Sequence, residues 1–303
     1  MRKRGSRRVG RPVPPLPAKW SLHASQGLQT LQLAPFAKLP WLIHGFSTAT
    51  GGRSELEGRQ VLNLGFQEWD SRENVMANRQ RFQLGLGAKE FNLVPLKQIH
   101  SDVIHLFSSS SAQPCSGDAS ATNHPGLLLA IQTADCVPLL LVDPKKRAVA
   151  AVHAGWRGTL ARITEKAIGR MRLEFASQPR DILAALGPSI GPCCYEVGAD
   201  LVTKFTAQFA DGTEYFDEPL SGEEPNPLQW LNMRPPGHQP PPKNVRLDLR
   251  KANRSQLENA RVRPQNIFSS NLCTACNPSL LFSHRRQGPV SGRLMAVIGI
   301  RKS

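Results

Sequence analysis

Three apolar runs between residues 126 and 152 limit the fold of this chain more than any other feature. They read GLLLAIQ (126–132), VPLLLV (137–142) and AVAAV (148–152). Each has the length of a strand and lacks the polar alternation of a half-solvated one, which is the pattern of buried strands. Each is far shorter than the roughly 20 residues that span a bilayer, so no transmembrane segment is expected. Between the second and third runs lies Asp143-Pro144-Lys145-Lys146. Asp followed by Pro is a β-turn signature, so these two runs are expected to pair antiparallel.

The flanking sequence adds helices. Residues 71–84 read as a helix with Ser71 as N-cap and Glu73 in its first turn. Residues 159–175 repeat apolar side chains at Leu160, Ile163, Ala167, Met171 and Phe175, a helical spacing for which Thr159 is the expected cap. Residues 247–262 resume that spacing. Strands are expected at 41–53, running into the turn at Gly51-Gly52, at 182–187 and at 294–300. The expected fold is α+β: a single domain with mixed, largely antiparallel sheets flanked by helices.

Charge and cysteine content bound the function. The chain of 303 residues carries a formal net charge of +15. Arg2, Lys3, Arg4, Arg7, Arg8, Arg11 and Lys19 stand in a Pro-rich stretch without an acid. It lacks the apolar core of a secretory signal and reads as a solvated tail. Residues 1–40 are taken as this basic tail and lead-in, and 41–303 as one folded domain. Residues 219–244 are taken as a Pro-rich insertion without a core of its own. The rest of the chain is still basic, which suits an anionic small substrate. Nucleic-acid binding is the weaker reading, because the cations cluster in the tail without interleaved aromatics. Six cysteines in so long a chain argue for reduced thiols and a cytoplasmic setting rather than a disulfide scaffold.

Two of those features meet at the apolar hairpin. If Asp143-Pro144 opens a two-residue turn, Asp143 faces Lys146, Val142 faces Arg147, and Cys136 faces His153. Directly opposed residues on antiparallel strands share a face, with Cβ atoms about 4.5–5.5 Å apart. A thiolate and an imidazole so placed can bind one ion or exchange a proton. His100, in LKQIHSD (96–102), is a third candidate. Three protein ligands with a fourth position open is the arrangement of a catalytic zinc site. A cysteine in an apolar strand is commonly a small hydrophobe, and spacing alone leaves the two readings balanced. Cys273 and Cys276 form a lone CxxC, read as two buried thiols, and Cys193-Cys194 is read as packing.

The motifs HGFSTATGG (44–52), LNLG (62–65), ENVMANR (73–79), LKQIHSD (96–102), GDASAT (117–122), TADCVPLLLVD (133–143), AVHAGWRGT (151–159), LGPSIGPCCYEVG (186–198), CTAC (273–276) and FSHRRQGPVSGR (282–293) occur in that order. Together they resemble the YfiH/YlmD family of laccase-domain proteins, regarded as purine nucleoside phosphorylases and in some bacteria called peptidoglycan editing factors. The resemblance covers about residues 41–300. It implies a zinc site of His100, Cys136 and His153, with copper the lesser alternative. It implies phosphorolysis of adenosine, inosine and guanosine, cleavage of methylthioadenosine, and adenosine deamination. Two positions depart from the family pattern: Ala49 stands where Arg is usual, and His284 where Tyr is usual. Arg53 is the expected substitute for the missing Arg.

These readings give a mechanism to test. Zinc would activate a water for attack on C6 of adenine, and a carboxylate would relay the proton. Asp118 is preferred to Asp135, because in a strand Asp135 should point away from Cys136. Phosphorolysis needs guanidinium groups around phosphate. Arg53, Arg157, Arg285 and Arg293 are the candidates, with Asn63 of LNLG also placed at the substrate. Expected partners are purine nucleosides and phosphate, with no membrane, and the expected assembly is a monomer or weak homodimer. Three rivals stand: a cysteine hydrolase using Cys136 and His153, a copper phenol oxidase, and a nucleic-acid binder. The oxidase reading is disfavoured because eight histidines without a His-x-His pair are few for a multicopper cluster.

Overall fold

The computed structural model describes residues 15–108, 115–217 and 244–302. Most of the basic tail, part of the Ser-rich stretch and nearly all of the Pro-rich insertion lie outside the described residues. The chain begins β1 (Trp20–Ser25), β2 (Leu28–Leu33), α1 (Ala34–Ala37), β3 (Leu42–Ser47), β4 (Thr50–Leu56), β5 (Arg59–Val61) and α2 (Arg72–Gly85). It continues β6 (Asn92–Pro95), β7 (Ile104–Leu106), β8 (Ala119–Thr122), β9 (Leu127–Thr133), β10 (Val137–Asp143), β11 (Ala148–Ala154), α3 (Trp156–Leu160) and α4 (Ile163–Phe175). It closes β12 (Leu183–Leu186), β13 (Glu196–Gly198), α5 (Asp200–Gln208), β14 (Phe216–Asp217), β15 (Asn244–Leu247), α6 (Leu249–Asn259), β16 (Ile267–Ser269), α7 (His284–Gln287) and β17 (Leu294–Ile300). Among the described residues no helix is long and apolar enough to cross a membrane.

Two six-stranded sheets carry the architecture, ordered β1-β2-β3-β17-β9-β6 and β16-β12-β10-β11-β8-β7. Only β6–β9, β7–β8 and β12–β16 pair in parallel within them. The fold is thus α+β in one domain, with mixed, largely antiparallel sheets. The sheets stack face to face: Phe46, Leu129, Ile131 and Ile298 of the first share one core with Leu140, Val142, Val149 and Ala151 of the second. The outer face of the first sheet buries Leu128, Ala130 and Val297 against Phe82 of α2. The outer face of the second buries Leu139, Leu141, Ala150 and Val152 against Ile163, Ala167 and Met171 of α4 and Leu249 and Leu257 of α6. This layering is why the three runs do not alternate: β9, β10 and β11 are covered on both sides. Residues 20–33, expected in a lead-in, instead form β1 and β2 and extend the first sheet through β3.

Local signals act largely as read. Ser71 Oγ accepts from the Asn74 amide and caps α2. The expected helix at 159–175 is divided, however. Arg162 adopts a left-handed conformation at φ 62° between α3 and α4. Thr159 lies inside α3 and caps nothing; its Oγ1 accepts from Asn253 Nδ2 of α6. Asp143 does open a turn, its Oδ1 accepting from the Lys145 and Lys146 amides. The turn is longer than expected: Arg147 takes a left-handed φ of 46°, and the last pair is Asp143 with Ala148.

Leu140 is fully buried at the centre of β10, facing the core between the sheets. Leu140→Ala should lower unfolding stability by about 2–5 kcal/mol. Urea denaturation would show this as a lower midpoint at unchanged slope.

Candidate active site

The longer turn moves the hairpin register by two residues. His153 pairs with Pro138, and Val137 pairs with Ala154; Cys136 lies just before β10 and therefore opposite Gly155. The expected direct facing of Cys136 and His153 is corrected to a diagonal one. Because strand side chains alternate with period two, a shift of two keeps both residues on one face. Gly155 matters for its close approach. A Cβ there would stand 3.0 Å from both Cys136 Sγ and His100 Cδ2, so a larger residue would crowd the site.

His100, Cys136 and His153 meet, their ligand atoms all within 4.8 Å of one another. Cys136 Sγ lies 3.9 Å from His100 Nε2, and the two imidazole rings meet edge to face at 5.0 Å. His153 Nδ1 is bonded to Asp118 Oδ1 at 2.8 Å, which leaves Nε2 for the shared centre. Two imidazoles and one thiolate, one ring oriented by a carboxylate, form a donor set that fits Zn²⁺.

Asp118 is fully buried. Its Oδ1 also accepts from the His100 amide at 3.0 Å, and its Oδ2 from the Ser101 amide at 2.6 Å and Ser101 Oγ at 2.7 Å. Asp118 is not among the residues lining the pocket and reaches it through the His153 ring. Burial would raise the Asp118 pKa, but the His153 and Ser101 donors outweigh it and bring it down to about 2. Burial alone would push the Cys136 thiol up, yet His153 and His100 bring it down to about 6. Burial would likewise lower the His153 pKa, and the Cys136 thiolate and Asp118 carboxylate overcome this to raise it to about 9. Without metal the pair is a thiolate facing an imidazolium.

The three ligands open into a cavity of about 560 Å³. Arg157, Arg285 and Arg293 line it, as do Trp156, Tyr195, Gln67, Gln98, Gln132, Asp135 and His284. The Arg157 guanidinium lies 4.3 Å over Trp156, and that of Arg285 lies 5.2 Å from the Tyr195 ring centre. Arg293 Nη1 donates to the Ser291 and Gly292 carbonyls. Asp135, at φ 99°, accepts from Thr274 Oγ1 at 2.6 Å and from the Arg285 amide at 2.6 Å. It is among the residues lining the pocket, with its carboxylate turned to Thr274 and the Arg285 amide.

Arg53 and Ala49 do not reach this pocket. Arg53 is exposed on β4, its amide donating to Asn78 Oδ1, and Ala49 is buried in the core between the sheets. The expected exchange of one arginine for another is thus not made here. Asn63 is also fully buried; its Oδ1 accepts from the Arg293 amide at 2.9 Å, so it holds the segment that carries Arg293. Trp156 and Tyr195 lie within the motifs AVHAGWRGT and LGPSIGPCCYEVG, but nothing in spacing marks an aromatic as a pocket wall.

A family model described as multi-copper polyphenol oxidoreductase laccase matches residues 43–301. Purine nucleoside phosphorylase YlmD of Geobacillus stearothermophilus is 34% identical over 269 residues, covering 86% of this chain and 90% of that protein. Adenosine deaminase RL5, from an unknown prokaryotic organism, is 33% identical over 276 residues, covering 87% and 96%. Human purine nucleoside phosphorylase LACC1 is 32% identical over 86% of this chain, which spans only 56% of that protein's length. The crystal structure of Bacillus licheniformis YfiH superposes with a TM-score of 0.77 at 29% identity, covering 94% of this chain and all of that one.

The ion pair predicts a pH profile for metal-free protein. Alkylation of Cys136 by iodoacetamide should rise through a midpoint near pH 6, well below the ordinary thiol value of about 8.5. Asp118→Asn removes support for the imidazolium and should move that midpoint upward. A wild-type midpoint at the ordinary value would refute the pairing.

Proposed function

We propose, on the premise that this chain belongs to the multi-copper polyphenol oxidoreductase laccase family, that it is a zinc-dependent purine nucleoside phosphorylase that also deaminates adenosine and cleaves methylthioadenosine. One observation carries the reading: a His-Cys-His centre opens into a cavity walled by three arginines and two aromatic rings. The names of its relatives supply the substrate class.

His100, Cys136 and His153 would hold the zinc. Zn²⁺ there supplies Lewis-acid polarisation of an oxygen at neutral pH. Asp118 is a positioning residue, since it fixes the His153 ring and the His100 main chain without facing the cavity. Trp156 and Tyr195 offer faces on which a purine stacks. Arg157, Arg285 and Arg293 supply the guanidinium donors that match phosphate oxygens. Phosphate so held attacks C1′ of the ribose as the purine departs. Asp135 is the carboxylate among the cavity-lining residues, and a proton relay would be placed there.

A cysteine hydrolase is the second reading, favoured by the thiolate–imidazolium pair. Chelation separates the two, since it abolishes the zinc reading's activity and leaves a thiol nucleophile active. A multicopper cluster lacks ligands: among the described residues His284 is the one further histidine on the cavity wall, and buried His44 instead accepts from the Leu33 amide.

Incubation of zinc-loaded protein with adenosine should yield adenine and ribose 1-phosphate with phosphate present, and inosine without it. Neither product forming would sink the proposal. Asp118→Asn should cost about 10–100-fold in metal affinity or activity. At least one of Arg157→Ala, Arg285→Ala and Arg293→Ala should raise the KM for phosphate by about 10–100-fold, the loss expected for a charged hydrogen bond. Deamination by that variant should change little, because it uses no phosphate. If none of the three moves the phosphate KM, the anion site lies elsewhere.

A further inference from the structure

Four cysteines that sequence spacing left as packing converge at a second place. Cys193 and Cys194 follow β12 in the loop 191–195, and Cys273 and Cys276 follow β16. The parallel pairing of β12 with β16 continues as a bridge between Ser189 and Cys273, bringing the two loops side by side. Cys193 and Cys276 are exposed and Cys273 is buried, so the set is not a pair of buried thiols.

Their sulfur atoms all lie within 4.8 Å of one another. Cys276 Sγ stands 3.6 Å from Cys193 Sγ and 3.4 Å from Cys194 Sγ. These separations are too long for a disulfide, whose sulfurs lie about 2.05 Å apart, and none of the four is disulfide-bonded. Four sulfurs at about 2.3 Å from one ion stand roughly 3.8 Å apart at the corners of a tetrahedron. The cluster therefore has the size of one tetrahedral ion with no position left open.

Its surroundings suit thiolates. Cys273 Sγ accepts from the Gly191 amide at 3.3 Å, and the Cys276 amide also donates to it. A Cβ on Gly191 would lie 2.7 Å from Arg250 Nη2 and 3.3 Å from Cys193 Sγ, so a guanidinium flanks the cluster. Arg250 Nη1 is buried with no hydrogen-bond partner among the described residues. Its one ion pair is loose, Nε standing 3.9 Å from Asp248 Oδ1, so the buried end of the guanidinium still lacks compensation. Four thiolates around one divalent ion carry two net negative charges, which would answer it.

We propose that Cys193, Cys194, Cys273 and Cys276 form a structural tetrathiolate site for one Zn²⁺ ion, separate from the His100–Cys136–His153 centre. Binding forms four Zn–S bonds, and the four thiol protons pass to solvent. The ion ties the two loops together, and both feed the active-site wall. Tyr195 follows Cys194 directly, and Thr274, between the other two cysteines, donates to Asp135. Arg286 Nη1 also donates to the Ala275 carbonyl.

The test is residue-resolved alkylation of reduced, full-length protein, read by mass spectrometry before and after adding Zn²⁺. Cys193, Cys194, Cys273 and Cys276 should be protected together, each by roughly ten-fold or more, on adding one equivalent to Cys136→Ala protein. Cobalt substitution should give thiolate charge-transfer bands of a tetrahedral site. Cys276→Ser, at an exposed position, should abolish protection of the other three. Zinc-loaded protein whose four thiols stay as reactive as in the metal-free form would overturn the proposal, as would oxidation to disulfides under conditions where zinc is present. Protection of Cys136 in the wild type reports the other centre by itself, so either site can fail without the other.

Discussion

A buried carboxylate organises the active centre. Asp118 is wholly excluded from solvent, and its charge survives there only because donors surround it. They come from two separated segments: His153 on β11, and the loop at Ile99, His100 and Ser101. His100 sits at a left-handed φ of 57°, a backbone state that costs a non-glycine residue energy. The hydrogen bond from its backbone amide to Asp118 Oδ1 holds it there. The same carboxylate that fixes the ring of His153 thus fixes the main chain of His100. The covered sheets around it make this arrangement rigid, since β11 is buried on both faces.

The site could be foreseen from sequence because of parity rather than register. A hairpin anchored on Asp143-Pro144 places Cys136 and His153 on one face whether the turn has two residues or four. The two-residue reading named the wrong opposite neighbour for Cys136, and the left-handed Arg147 explains why. A turn longer by one residue would have pointed the two side chains apart. The continuous apolar runs announced coverage on both faces, and both coverings are present. Strands β1 and β2 were missed because Trp20–Ser25 and Leu28–Leu33 mix apolar and polar residues beside a basic, Pro-rich stretch. β1 pairs with β2, and β2 in turn with β3, which joins both to the sheet.

What sequence could not supply is the meeting of segments far apart in the chain. No local pattern says that Asp118, in a stretch of small residues, will receive His153. None says that Asn63 will accept from the Arg293 amide across 230 residues. The reading of Ala49 and Arg53 failed for the same reason: proximity along the chain stood in for proximity in space. Ala49 turns into the core while Arg53, on the next strand, faces solvent. The cysteines are the sharpest case, because two adjacent residues and a lone CxxC carry no ribbon spacing. Only the parallel alignment of β12 with β16 brings them to one point.

That alignment also decides how the wall of the cavity is held. Asp135 stands beside Cys136 in a left-handed conformation that few side chains adopt. Three bonds restrain it: its carbonyl accepts from the Ile190 amide, and its carboxylate accepts from Thr274 and from the Arg285 amide. Ile190 and Thr274 belong to the two loops that carry the cysteines, and Arg285 opens α7 with a guanidinium in the cavity. The backbone on one side of Cys136 is therefore set by the cysteine loops, and His153 across from it by Asp118. Rigidity of the first group matters because a metal ligand displaced by about 1 Å is no longer a ligand in the required geometry. A crosslink between those loops would act on the centre through Asp135, without touching substrate.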